Sequence, residues 1–289
     1  MTTLSPIVAG TWRMASWGWD VPTRARWIEE CVALGVTSFD HADIYGGYTV
    51  EGLFGEAVAA TPGLRERLQL VTKCGIKLVS PARPGHALKC YDSSRAHVLA
   101  SVEQSLRALR TDRIDLLLIH RPDSLMDPDE LADTFRTLRT QGKVLEFGVS
   151  NHSPSQFSLL HSRIALVTNQ IEFSPLHLAP LQDGTLDQCL DLGLRPMAWS
   201  PLAGGRLING DDEAARRVRH VLEALAQAHG VAPATVAFSW LLRHPARPVP
   251  ITGSSRVPAI ADAVAALSLR LDAQDWYRIW SASTGRDVA

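Results

Sequence analysis

The sequence predicts an α/β chain folded as one domain, residues 1–289, a (β/α)8 or TIM barrel, and three observations carry that reading. Eight short apolar segments alternate with stretches of helical periodicity over about 250 residues, the unit count and size of such a barrel. Segments such as Leu68–Thr72 and Asp115–His120 are apolar almost throughout, as strands are when helices cover both faces of a parallel sheet. No Ser/Gly-rich linker or break in composition divides the chain.

In order, the expected strands are Ile7–Thr11, Ser38–His41, Leu68–Thr72, Leu116–His120, Leu145–Val149, Val167–Ile171, Arg195–Trp199 and Val249–Thr252. Each is a short apolar run bounded by polar or turn-forming residues. The first helix, Arg24–Ala33, places Trp27 and Cys31 on one face with Leu34 beyond it, at helical spacing. The same periodicity predicts helices over Val50–Ala60, Ser94–Leu109, Asp129–Arg139, Pro154–Leu160, Leu186–Leu192, Ala214–Ala228 and Val257–Ala266. Gly35, Gly142, Gly193 and Pro196 punctuate the boundaries. An extra helix, Ala273–Ser281, follows the eighth unit. Only Met1–Pro6 precedes the first strand, so a hairpin closing the barrel bottom is expected to be short or missing. Gly75–Ser93, Leu176–Gly184 and Ala203–Asp212 are too long for plain connections, and loops after barrel strands wall the pocket.

Composition narrows the function classes. With 46% hydrophobic and 20% charged residues and a formal net charge of -1, the chain offers no attraction to nucleic acid or anionic membrane. The densest basic run, Arg216-Arg217-Val218-Arg219, reads as a solvated helix face. Cys31, Cys74, Cys90 and Cys189 lie far apart without a C-x-x-C, which fits reduced thiols in a cytoplasmic protein. No apolar run reaches the ~20 residues of a membrane helix, and the amino terminus lacks a signal-peptide layout. The histidines show neither H-x-H nor H-E-x-x-H spacing, so no catalytic metal is expected. The stretch Leu225–Leu241 resembles a helix-turn-helix, but its second half offers Phe238, Trp240 and Leu241 where DNA contact wants basic residues. It is read as barrel helices.

The chemistry concentrates at strand ends. Asp40, Tyr45, Lys73 and His120 fall in order on Thr37–Tyr45, Leu68–Lys73 and Asp115–His120, each expected at a strand's C-terminal end, where barrel residues converge. A free tyrosine titrates near ~10, too high for ready proton exchange at neutral pH. An adjacent ammonium is expected to lower it, and an imidazole can orient a carbonyl. A buried lysine needs a carboxylate to keep its charge, the task open to Asp40. The alternative for each residue alone is structural: an Asp40–Lys73 ion pair and a satisfied strand-end His120. Further along, Ser150, Asn151 and Gln170 suit a carboxamide that both donates and accepts, and Trp199 offers a face for a nicotinamide ring. Gly253-Ser254-Ser255-Arg256 opens a helix, where free N–H groups and an arginine suit a phosphate.

Taken together, Phe39-Asp-His-Ala-Asp-Ile-Tyr-Gly46, Val71-Thr-Lys73, Leu117-Leu-Ile-His120, Gly148-Val-Ser-Asn151, Asn169-Gln170 and Trp199-Ser-Pro-Leu202 resemble the signature of the aldo-keto reductases, from about Gly10 to Leu267. The resemblance implies a metal-free barrel that reduces aldehydes and ketones to alcohols with a nicotinamide cofactor, usually NADPH. It assigns the proton donor to Tyr45, its support to Lys73 and Asp40, and carbonyl orientation to His120; Asp43 does not match the catalytic carboxylate. Cofactor contacts implied are Thr11, Trp12, Ser150, Asn151, Gln170, Trp199, Ser200, Pro201, Leu202, Gly204, Arg206, Gly253, Ser254, Ser255, Arg256 and Asp262.

Some positions depart from the commoner family pattern. Trp199 stands where a tyrosine is frequent, Gly253 and Ala259 replace a lysine and an arginine of the 2′-phosphate segment, and Ala263 replaces an asparagine. Arg256 must then supply the charge for NADPH, and NADH stays open as a cofactor. The extended C-terminal substrate loop of some members is also absent. The expected partner is a small carbonyl compound on a monomeric enzyme, with no evident arginine pair to clamp a carboxylate. Neutral aldehydes are therefore expected over sugar phosphates and keto acids. The alternative is a cofactor-holding redox sensor, since potassium channel β-subunits resemble this family.

Overall fold

The computed structural model describes residues 4–288. Among these, the first part of the chain forms β1 (Val8–Gly10), α1 (Val21–Ala33), β2 (Ser38–Asp40), α2 (Val50–Ala59) and β3 (Gln69–Cys74). It continues through β4 (Ile76–Lys77), β5 (Cys90–Tyr91), α3 (Arg95–Leu109), β6 (Ile114–Ile119), α4 (Pro128–Thr140), β7 (Val144–Ser150) and α5 (Pro154–His161). The rest comprises β8 (Asn169–Glu172), α6 (Thr185–Asp191), β9 (Met197–Trp199), α7 (Arg206–Asn209), α8 (Glu213–His229), α9 (Pro233–Leu242), β10 (Val249–Thr252), α10 (Val257–Ala265) and α11 (Ala273–Thr284). Eight parallel strands close into a barrel in the order β1-β10-β9-β8-β7-β6-β3-β2, while β4 and β5 pair apart from it. The eight expected strands are those eight, and α11 is the expected extra helix. No strand precedes β1 among the described residues, and residues 1–3 lie outside them.

The chain divides into two compact units, Met1–Asn169 and Gln170–Ala289. In the first, the ladder is set by hydrophobic register. Phe39 pairs with Leu70, and Thr72 and Lys73 with Leu117 and Leu118. Alternation along β3 puts Gln69, Val71 and Lys73 on one face and Leu70, Thr72 and Cys74 on the other. Six helices, α1, α3, α4, α5, α8 and α11, start where a side chain caps free N–H groups. Asp20 accepts from Thr23 N before α1, and Ser153 and Gln156 form a reciprocal capping box at α5. The α1 face of Ala25, Trp27, Ile28 and Cys31 is buried, and Phe135 of α4 stacks on Phe147 of β7 at 4.1 Å. At Gly55 a Cβ would stand 2.1 Å from the Ala108 carbonyl oxygen, so α2 and α3 meet backbone to backbone.

In the second unit Phe173, Leu207, Val218, Leu222, Val236, Trp240 and Ile279 share one buried cluster. Leu225–Leu241 folds as the end of α8, a left-handed Gly230 cap, and α9, with Phe238, Trp240 and Leu241 buried. These are barrel helices, as read from the sequence.

Three details differ from the sequence-based expectation. The segment Thr37–Tyr45 is not one strand: β2 ends at Asp40 and Tyr45 lies in the turn that leads to α2. Left-handed Gly46 and Gly47 bend the chain there. The long connection Gly75–Ser93 carries the β4–β5 hairpin, with Ile76 opposite Tyr91 and Lys77 opposite Cys90. The connection Ala203–Asp212 contains α7.

Candidate active site

Backbone ladders place the four expected catalytic residues, all in the first unit. Asp40 closes β2, Lys73 is the penultimate residue of β3, and His120 follows β6 with its N–H on the Cys74 carbonyl at 2.9 Å. Tyr45 is held through its backbone: its N–H reaches the Ala42 carbonyl at 3.1 Å, and its own carbonyl accepts from Val50 N at 3.2 Å. The adjacent Gly46 has φ 60°, and a Cβ there would lie 2.7 Å from Thr49 Oγ1 and 2.9 Å from Ala15 Cβ. Only glycine satisfies both the turn and the close approach.

Fully buried Lys73 uses all three ammonium N–H groups. They meet the Asp40 carboxylate at 2.8 and 2.7 Å, the His41 carbonyl at 2.7 Å and the Tyr45 hydroxyl at 3.1 Å. Burial opposes the charge on Lys73, but Asp40 and then Tyr45 more than offset it and leave the ammonium above its ordinary range. The Tyr45 ring lies edge-on to His120, with centroids 5.9 Å apart.

Lys73 does pull the Tyr45 pKa down, as expected, but burial outweighs it. Burial pushes the phenol above its usual value; Lys73 pulls it down and Asp40 pushes it up again. Tyr45 is therefore protonated at neutral pH. Burial, then Lys73, Arg121 and Lys89, hold His120 well below the usual imidazole range, so its ring is neutral. Its Nδ1 is buried without a hydrogen-bond partner. A neutral imidazole can present an N–H to a carbonyl oxygen without competing for the proton Tyr45 carries.

Sequence reading missed what stands behind the tetrad. The His41 carbonyl that accepts from Lys73 is main chain and leaves no residue-type signal. His41 itself is buried against Phe54, with Nδ1 on Thr11 Oγ1 at 2.8 Å, and burial and then Lys73 lower it to about 3. On the opposite face of β3, Thr72 donates to Glu51 at 2.6 Å, and burial pushes Glu51 up to about 7. Asp43 is buried beside this group, its N–H on the Lys73 carbonyl and its Oδ1 unpartnered. Burial, reinforced by Glu51, raises it well above the carboxylate range. The Lys73 ammonium spends its hydrogen bonds on Asp40, His41 and Tyr45 and makes none to the Asp43 carboxylate.

The cofactor candidates fall on both units. In the first, the hydroxyl proton of buried Thr11 is committed to the Asp40 carbonyl, and its oxygen also meets His41 Nδ1. Trp12 is 62% exposed beneath the Arg13 guanidinium. Asn151, at φ 58°, donates to Ser150 Oγ at 2.7 Å just past β7. In the second, Gln170 is buried on β8 and half-buried Trp199 ends β9. Ser200 and Gly204, both with positive φ, flank Pro201 and Leu202 in the following turn. Arg206 pairs with Asp212 at 2.9 Å.

The Gly253–Arg256 turn leads into α10, whose N-terminus has no side-chain cap. Gly253 and Arg256 are exposed, Ser254 and Ser255 half-buried, and nothing lies within 4 Å of a Cβ placed on Gly253. No ion pair involves Arg256 among the described residues. Asp262 sits on α10, its carbonyl taken by Thr235.

Trp17 and Trp19 pack on buried Trp27, with centroids 5.2 and 6.1 Å away. The Tyr48 hydroxyl accepts from Leu78 N at 2.8 Å under the Arg83 guanidinium. All three serve loop packing in this structure.

A closed barrel that buries a lysine between a carboxylate and a phenol is a scaffold suited to proton transfer. Residues 6–284 match the model of the aldo/keto reductase family, and the chain belongs to it. It is 50% identical to the uncharacterized oxidoreductase YcsN of Bacillus subtilis, over 98% of this chain and 96% of that one. It is 42% identical to a 6-dehydroglucose reductase of Agrobacterium fabrum, over 99% and 96%. Among solved structures, an aldo/keto reductase from Klebsiella pneumoniae in complex with NADP and acetate superposes with a TM-score of 0.79. That match has 25% identity and covers 96% of this chain and 90% of that one.

Proposed function

We propose that the protein reduces aldehydes or ketones to alcohols with NADPH, with Tyr45 as the proton donor. The single observation that carries this reading is the Lys73 ammonium, held by both Asp40 oxygens and donating to the Tyr45 hydroxyl at 3.1 Å. That donation occupies a lone pair of the phenol oxygen, leaving its proton directed away from Lys73. Neutral His120 orients the carbonyl, and Tyr45 protonates the oxygen as negative charge develops there. The Lys73 charge stabilises the phenolate left behind, and Asp40 keeps Lys73 ionised.

The residues fit a nicotinamide dinucleotide. The uncapped start of α10 and unpaired Arg256 suit a phosphate, and Trp199 a flat ring. Ser150, Asn151 and Gln170 suit a carboxamide. When bound, this cofactor supplies the hydride. The NADP held by the Klebsiella pneumoniae relative supports the choice, and NADH remains the second candidate.

For substrate, we favour neutral aldehydes. The relative named 6-dehydroglucose reductase supports including an oxidised sugar in the panel. Steady oxidation of NADPH over many turnovers with a nitrobenzaldehyde is the expected result. Cofactor binding without repeated turnover across a broad aldehyde panel would instead favour the redox-sensor reading.

A further inference from the structure

The second unit contains a cavity of about 370 Å³ that the reductase chemistry does not use. It is lined by Leu181, Arg243, His244, Trp276, Tyr277 and Trp280, together with Pro245 and Ala273. It is built where α9 ends and α11 begins. Arg243 and His244 precede the first residue of β10, whereas the Gly253–Arg256 turn follows its last, so the two features belong to opposite ends of that strand. The volume lies within the ~300–1,000 Å³ of small-molecule sites.

The walls are rigid and flat. Trp276 lies parallel to Trp240, 7° off with centroids 5.0 Å apart, and each indole N–H donates to the other residue's carbonyl at 3.0 Å. Trp280 stands edge-on to Trp276 at 5.4 Å, and half-exposed Tyr277 edge-on at 5.0 Å. Three aromatic rings thus face space that no side chain fills.

The polar side chains at this cavity can all donate, the Tyr277 hydroxyl being able to accept as well. Arg243 Nε is anchored on the Leu271 carbonyl at 3.1 Å, which fixes the guanidinium and leaves its terminal N–H groups over. Arg243 has no acidic partner among the described residues. His244 accepts from Ala246 N on Nδ1 at 3.2 Å, and burial keeps the ring below its usual pKa despite the field of Asp187. A neutral ring accepting on Nδ1 carries its proton on Nε2. No carboxylate lines the cavity. A guanidinium edge matches a carboxylate bidentately, and aromatic walls match a flat ring.

We infer that this cavity is a second ligand site, separate from the reductase centre, for a flat aromatic carboxylate. The test is binding of 1-naphthoate to the NADP-loaded protein by calorimetry, beside its uncharged analogue 1-naphthamide. Naphthoate binds saturably, and naphthamide binds at least about tenfold more weakly, the worth of one charge-assisted hydrogen bond. Arg243→Gln, which keeps a donor for Leu271, and Trp280→Ala, at the open edge, each weaken naphthoate while leaving kcat and KM for the aldehyde unchanged. Photolabelling with 4-benzoylbenzoate falls on the 273–280 segment.

Four results overturn the inference: no saturable binding, equal affinity for the amide, naphthoate displaced by the carbonyl substrate and indifferent to both variants, or a concentration-dependent dimer whose formation blocks the labelling. The last would make the cavity an interface between copies of this chain.

Discussion

The Lys73 ammonium and the Tyr45 hydroxyl are joined by one 3.1 Å hydrogen bond in which lysine is the donor. Lysine has nothing to accept with, so the phenol proton cannot point at it. Tyr45 thereby keeps its proton for another acceptor, and burial holds that proton in place at neutral pH. In this arrangement the phenol, not the phenolate, is the form present at neutral pH.

Tyr45→Phe tests this directly. It removes the donor and keeps the ring that lies 5.9 Å from His120. Positioned acid catalysis is worth roughly 10²–10⁴-fold, and kcat should fall within that range while NADPH affinity holds. A variant at half the wild-type rate, with chemistry shown to be rate-limiting, removes Tyr45 from the mechanism.

Lys73→Met should be as damaging to the rate, with a second signature that Tyr45→Phe lacks. Lys73 and Asp40 are both buried, so methionine leaves the Asp40 carboxylate without its partner. Removing one member of a buried pair costs about 3–5 kcal/mol. Denaturant unfolding should show this loss, and adding Asp40→Asn to Lys73→Met should recover part of it. A double variant no more stable than Lys73→Met contradicts the proposed charge balance.

The legible parts of this chain were those that repeat. Eight apolar strand segments and the helical periods between them carried the barrel, because binary pattern is local information. Of the site, Asp40, Lys73 and His120 were legible because strand-end geometry and side-chain chemistry coincide. The Tyr45 turn was not, because Ile44 and Tyr45 favour a strand locally and only left-handed Gly46 and Gly47 break it. The rise in the Tyr45 pKa was hidden too: spacing reveals the nearby ammonium but not the burial that outweighs it. The Glu51–Thr72 contact depends on which face of β3 meets α2, a tertiary fact.

Stability should fall in mild acid. Burial, and then Lys73, lower His41 to about 3, and burial lowers His152 to about 4. Their ordinary value is about 6.5, so below that pH the unfolded chain binds protons the folded chain refuses. Each such histidine costs up to about 1.4 kcal/mol per pH unit. Glu51 works the other way: raised to about 7, it takes its proton in the folded state first, which favours folding as pH drops toward its unfolded value. Asp43, raised by burial, opposes the histidines in the same way down to its unfolded value of 3.8, while His120, held well below the imidazole range by burial, adds a third group on their side. Urea midpoints should therefore fall from pH 6.5 and more steeply under pH 4.5, with the slope reduced in His152→Gln. A flat profile between pH 7 and 4 rules out this balance.

Gly55→Ala probes packing away from the chemistry. Its Cβ would meet the Ala108 carbonyl oxygen at 2.1 Å and Leu109 backbone atoms at 2.7 and 2.8 Å, none of which is a movable side-chain end. Overpacking of this kind costs typically about 1–3 kcal/mol. Alanine's better helix propensity offsets less than about 1 kcal/mol. The melting temperature should drop. An unchanged or raised value would mean that α2 and α3 separate at little cost.

Arg256→Ala decides the cofactor. Arg256 immediately precedes α10, with an exposed side chain and no acidic partner among the described residues, at a helix N-terminus that no side chain caps. NADPH differs from NADH by its 2′-phosphate, so a residue that binds this group discriminates between them and one that merely shapes the turn does not. A charge-assisted hydrogen bond contributes about 1.5–3 kcal/mol, a tenfold or larger loss of NADPH affinity. NADH affinity should hardly move, because helix start, turn and Gly253 remain. Fluorescence titration of both cofactors against wild type and variant reads the two constants side by side. Equal losses assign Arg256 to the shape of the turn and shift the preference toward NADH, consistent with Gly253 and Ala259 standing where the family often has cations.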